Sequence, residues 1–93
     1  MRNVIIRQMP AFKKKYKKLP GSEQKKVDEA IMVIVDNPTV GDPKKGDLAG
    51  VYVYKFKIHV QQWLLAYEWN PKERLLLALG VHENFYRDLK RTS

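Results

Sequence analysis

The stretch Val51-Tyr52-Val53-Tyr54-Lys55-Phe56-Lys57-Ile58-His59, together with Trp63-Leu64-Leu65-Ala66-Tyr67-Glu68-Trp69 and Arg74-Leu75-Leu76-Leu77-Ala78-Leu79, decides the fold. Successive side chains of an extended chain point to opposite sides, so residues two apart share a face. By that rule Tyr52, Tyr54, Phe56 and Ile58 line an apolar face, whereas Val51, Val53, Lys55, Lys57 and His59 line the other. The second and third runs are almost wholly apolar, the pattern of strands central in a sheet or covered on both sides. A turn near Gln61-Gln62 and another at Asn70-Pro71-Lys72-Glu73 separate the three runs, which predicts an antiparallel meander.

Upstream of the meander the period changes. Val4-Ile5-Ile6 is a β-branched run that reads as a short strand ending before Pro10. Phe12, Tyr16 and Leu19 then recur at helical spacing with lysines between them, and Pro20-Gly21 stops this first amphipathic helix. Ser22 is placed to cap a second helix, with Glu23 in its first turn, where a negative charge suits the helix dipole. Val27, Ala30, Ile31 and Ile34 form its buried stripe, and Asn37-Pro38 ends it. Residues 39–50 hold several Gly and charged residues and read as a surface connection. The expected fold class is α+β, in the order β-α-α-β-β-β. An antiparallel sheet would carry both helices on one face, and residues 82–91 would add a short helical tail. Residues 1–93 are read as one domain, without repeats or linkers.

Composition narrows the class of partner. Eighteen Lys and Arg stand against ten Asp and Glu, a formal charge of +8, so phosphate-bearing or acidic partners are favoured over neutral ones. The absence of cysteine excludes disulfide staples, a thiolate nucleophile and a Cys-based zinc site. No apolar stretch approaches the ~18 residues of a membrane span, and the first residues do not form a signal peptide, so a cytoplasmic protein is expected.

Two groups of residues carry possible chemistry. Lys55, Lys57 and His59 would project from one face of a single strand, a ladder of two cations and an imidazole suited to a phosphate backbone. Lysines on an open edge strand also simply prevent aggregation. His82 follows Gly80, at the end of the last strand; His59 and His82 are the only imidazoles in this chain, the side-chain type best suited to general acid-base work. No metal-ligand spacing, Gly-rich phosphate loop or nucleophile elbow is present, so neither a metal nor a cofactor is expected. Lys13, Lys14 and Lys17 belong to a lysine-rich helix that is either a solvated face or an electrostatic footprint for RNA. Phe85 and Tyr86 beside Arg87 form a candidate stacking platform for an unpaired base, although Phe85 would equally well dock the tail on the core.

The order of elements and the run from Gly50 to Tyr67 resemble the RelE/ParE toxin superfamily. Supporting marks are Phe12 with Lys13-Lys14, Leu19-Pro20, Asn37-Pro38, Lys45-Gly46-Asp47-Leu48 and the Leu76 to His82 stretch before a polar, aromatic tail. The resemblance spans nearly the whole chain. It implies a toxin paired with an antitoxin and, in the RNA-cutting branch, a ribosome-dependent mRNA endoribonuclease. That chemistry is metal-free, with the 2′-hydroxyl attacking the adjacent phosphorus. Lys55 and Lys57 match the family's strand lysines. His82 falls where RelE has an arginine and the YafQ-like branch a histidine, which implies a general acid. His59 and Trp63 fall near positions that the YafQ-like branch uses for proton transfer and substrate contact, and Tyr86 lies close to the C-terminal aromatic of these toxins, which implies a place among the catalytic residues with His82, His59, Lys55 and Lys57.

The departures from the family pattern keep alternatives open. Leu64 stands where RelE has an arginine, and Asp42 or Lys44 replaces the early histidine of the YafQ-like branch. Charge stabilisation would then fall to Lys55, Lys57 or Arg87. The first reading is an mRNA endoribonuclease acting on the ribosome. The others are a ParE-like toxin that poisons DNA gyrase and a catalytically degenerate RNA-binding domain. Under each, an acidic or amphipathic antitoxin segment is expected to cover the basic face.

Overall fold

The computed structural model describes residues 3–81. In chain order these form β1 (Ile5–Gln8), α1 (Pro10–Lys17), α2 (Gly21–Asp36), β2 (Asp42–Pro43), a 3-10 turn (Gly46–Leu48), β3 (Tyr52–Ile58), β4 (Gln61–Asn70) and β5 (Glu73–Val81). The strands make one five-stranded sheet in the order β1-β5-β4-β3-β2. The α+β class and the antiparallel β3-β4-β5 meander stand as read, and β4 takes the central position. Two details differ from the sequence reading. β1 runs parallel to β5 rather than antiparallel, and Asp42–Pro43 within the expected connection pairs briefly with Tyr52 and Val53 of β3. β2 stays this short because the connection around it is held by local turns and offers no apolar alternation to extend the ladder. The expected C-terminal helical tail lies outside the described residues.

Both helices cover one face of the sheet. Phe12 from α1 and Val27, Ala30, Ile31, Ile34 and Val35 from α2 join Ile58, Trp63, Leu65, Tyr67, Leu76 and Leu79 in a single core. Phe12 is fully buried, and burial of such a side chain stabilises by about 2 kcal/mol. Pro10 opens α1, where its missing N–H costs nothing, and lysines fill the last turn, where they suit the helix dipole. The expected Ser22 cap is not used: α2 begins at Gly21 with Pro20 before it, and the Pro20 carbonyl accepts from the N–H groups of Glu23 and Gln24. Proline fixes the extended geometry needed at that entry, so the serine falls inside the first turn.

Two buried polar groups lock the layers together. Tyr67 is fully buried; its hydroxyl donates to the Pro38 carbonyl (2.7 Å) and accepts from the Gly41 N–H (3.0 Å), so β4 holds the chain that leaves α2. A Cβ at Gly41 would lie 2.8 Å from that hydroxyl oxygen, which excludes larger residues there. Burial raises the Tyr67 pKa above its ordinary value. Arg74, only 4% exposed, donates to the Ile34 and Val35 carbonyls at the end of α2 and to the Asn70 and Glu73 carbonyls, while its guanidinium lies 5.8 Å from the Trp69 ring centre.

Candidate functional site

The face of the sheet opposite the helices divides in two. Toward β2, Val51, Val53, Leu64, Ala66 and Ala78 cluster with Leu48 of the 3-10 turn in a second apolar patch. Toward the β3-β4 turn the face becomes polar: Lys55 stands opposite Leu64, Lys57 stands opposite Gln62, and both lysines are exposed. Strand geometry separates their Cα atoms by about 6.7 Å on one face. The predicted segregation is therefore present, with aromatics under the sheet and cations above it. Leu64, at the centre of this face, is fully buried, so position 64 offers no charge there.

His59 is not part of the lysine ladder. β3 ends at Ile58, β4 begins at Gln61, and the two-residue turn is His59-Val60 rather than Gln61-Gln62. His59 adopts a positive φ of 55°, where glycine or asparagine is the usual choice. It is exposed, one turn beyond Lys57. Gln62, read as a turn residue, instead lies on the strand across from Lys57. Its position follows from the alternation of β4, but only once the turn is placed correctly.

Trp63 is the second correction. It pairs with Phe56 and with Val81, is 9% exposed, and belongs to the helix-side core, on the face away from the lysines. A side chain so placed supports the strand and is not positioned to touch a substrate on the lysine face. Lys13, Lys14 and Lys17 are exposed on α1, which packs in the helical layer. The structure thus puts the helix lysines and the strand lysines on different sides of the sheet. His82, Phe85, Tyr86 and Arg87 lie outside the described residues. Val81, the last described residue, pairs with Trp63 at the same end of the sheet as Lys57 and the His59 turn.

Comparison with known proteins identifies the class. The family described as the ParE-like toxin of type II bacterial toxin-antitoxin systems matches residues 6–90, and the chain belongs to it. No curated protein matches the sequence. The fold is that of the RelE and YoeB toxins. The chain is similar to the RelBE2 toxin-antitoxin complex of Mycobacterium tuberculosis, with a TM-score of 0.71, 20% identity, and coverage of 86% of this chain and 99% of that one. It is also similar to the intact Escherichia coli RelBE complex, with a TM-score of 0.68, 15% identity, and coverage of 86% and 98%. The YoeB dimer of Staphylococcus aureus gives a TM-score of 0.66, 22% identity, and coverage of 86% and 98%. Among the described residues no helix is long and apolar enough to cross a membrane.

Proposed function

We propose that this toxin is a metal-independent endoribonuclease that cuts mRNA on the ribosome in the cytoplasm and is held inactive by a cognate antitoxin. The observation that carries the reading is the exposed Lys55-Lys57 pair, set at the end of the sheet where β5 delivers the chain to His82. Cations fixed on a strand stabilise charge that develops on a phosphate in the transition state. In the reaction the RNA 2′-oxygen forms a bond to phosphorus and the bond to the 5′-oxygen breaks, which leaves a cyclic phosphate and a free 5′-hydroxyl. His59, or Lys57 when it is present as the neutral amine, takes the 2′-hydroxyl proton, and a protonated His82 gives one to the departing 5′-oxygen. Lys55 and Arg87 hold the phosphate, with Tyr86 and Phe85 available for base stacking. The antitoxin is supported by the similar structures, which include toxin-antitoxin complexes.

A second reading, a gyrase poison that acts by binding, draws on the buried Leu64, which leaves the centre of the face without the family's arginine. Induced expression of the wild type and of His82→Ala, followed by primer extension on a reporter mRNA, separates the two. The nuclease predicts new ends within the reading frame for the wild type and a loss of cutting by about a hundredfold or more for the variant. Growth arrest with uncut mRNA and double-strand breaks in DNA would establish the gyrase reading instead.

A further inference from the structure

We propose that the Gln62 carboxamide is a further catalytic group of this site, a neutral donor to a non-bridging oxygen of the scissile phosphate as charge builds there. The proposal rests on the endoribonuclease reading above and adds to it a residue from β4.

The position follows from the hairpin. A two-residue turn at His59-Val60 makes Ile58 and Gln61 the hydrogen-bonded pair that closes it, so the next pair, Lys57 and Gln62, is of the non-hydrogen-bonded kind. An independent contact agrees: the Val51 carbonyl accepts from the Lys44 N–H (2.8 Å), so odd-numbered residues of β3 turn their main-chain groups away from β4. In such pairs the Cα atoms are about 4.5 Å apart and the side chains approach most closely. Trp63 belongs to the helix-side core and Leu64 to the opposite patch, so alternation puts Gln62 on the same open face as Lys57. Lys55 and Leu64 form the next row of this kind, about 6.7 Å along the strands.

Gln62 is half-buried between the exposed lysines and the fully buried Leu64. Leu64 and Ala66 belong to the apolar patch, and Glu68 and Asn70 lie at the other end of the strand, so Gln62 is what β4 contributes beside the lysines. Its main-chain carbonyl accepts from Gln61 Nε2 (3.1 Å), whereas its carboxamide has no partner among the described residues. The donor is therefore available to a substrate.

The reaction needs such a donor. Once the 2′-oxygen has joined phosphorus and before the 5′-oxygen leaves, the non-bridging oxygens carry two negative charges in place of one. Donors held against those oxygens stabilise this state more than the starting one, and side-chain amides serve the purpose. A third ammonium beside Lys57 would repel it, whereas an amide adds a donor without that cost. Gln62 neither takes nor gives a proton, so the proton transfers stay with the groups named above.

The test uses the full chain and ribosomes programmed with a synthetic mRNA. The linkage mapped by primer extension carries one sulfur in place of a non-bridging oxygen, and each diastereomer is compared with the all-oxygen mRNA. Sulfur is a weak acceptor, so the wild type should cut one diastereomer about tenfold more slowly than the other, and Gln62→Ala should remove most of that difference. On the all-oxygen mRNA, Gln62→Ala should lower the rate at saturation by about a hundredfold and change the half-saturating concentration by less than about twofold. Gln62→Glu keeps the shape but sets a negative charge beside the phosphate, and it should be slower still. Circular dichroism checks folding; if Gln62→Ala is not folded, the rate of Gln62→Glu decides. A folded variant that cuts as fast as the wild type, a loss confined to half-saturation, or a sulfur effect that is absent from the wild type or unchanged in Gln62→Ala would overturn the role of Gln62 and leave the endoribonuclease reading standing. If the wild type cut no mRNA, both would fall.

Discussion

Arg74 is the residue on which the joint between sheet and helix depends most. Its charge is buried, and it donates to main-chain carbonyls: two from the C-terminus of α2 and two from the β4-β5 turn. The last carbonyls of a helix lack partners within it and carry the negative end of its dipole, so a guanidinium there satisfies them and balances the charge. Arg74→Met should therefore destabilise by about 3 kcal/mol, because buried carbonyls are left without donors. A fall in melting temperature of more than roughly 10 °C would show this. Arg74→Lys should restore little, since an ammonium cannot reproduce the planar fork. The sequence gives no sign of this role, because Arg74 reads as the first residue of a strand after a turn. Only the approach of residues 34 and 35 creates the need for it.

At the scale of elements, the β3-β4 hairpin shows where pattern reading succeeds and where it stops. The alternation from Val51 to Ile58 predicts the strand and both its faces correctly. The polar pair Gln61-Gln62 suggested the turn, yet the chain turns at His59-Val60, which carries no Gly or Asn signal. Register decides this: a turn at 61–62 would change the pairing of β3 with β4, which now sets Tyr54 opposite Leu65 and Phe56 opposite Trp63 in the core. The cost is a histidine at positive φ, about 1 kcal/mol or more. His59→Gly should accordingly raise stability by about 0.5–1 kcal/mol, detected as a higher denaturant midpoint with an unchanged slope. If His59 is the base of the proposed reaction, the same variant should cut mRNA more slowly, which separates its structural cost from its chemical use.

At the scale of the whole molecule, two groups of described lysines lie on different sides of one sheet. Lys55 and Lys57 occupy the open face, and Lys13, Lys14 and Lys17 lie on the helical layer. A short single-stranded RNA bound across the open face should release counterions from the first pair and not from the helix lysines. Replacing Lys55 and Lys57 by Gln should reduce the slope of log affinity against log salt by about 1.4, at ~0.7 per contact, in a fluorescence anisotropy titration. The triple change of Lys13, Lys14 and Lys17 to Gln should leave that slope unaltered and weaken association with whole ribosomes. An equal effect of both sets on the short RNA would show that one RNA-binding surface extends around the edge of the sheet.

Periodicity and composition by themselves determined the α+β class, the two helical stripes, the three-strand meander and the cationic face. Those features depend on short-range alternation, and apolar residues at period two or near four can be buried in only one way. The tertiary structure alone decided the parallel entry of β1, the turn at His59, the burial of Trp63 and Leu64, the work of Arg74 and Tyr67, and the place of Gln62 beside Lys57. Each depends on which main-chain groups and faces meet across long separations in sequence, a matter of satisfied hydrogen bonds and filled volume that no local pattern records.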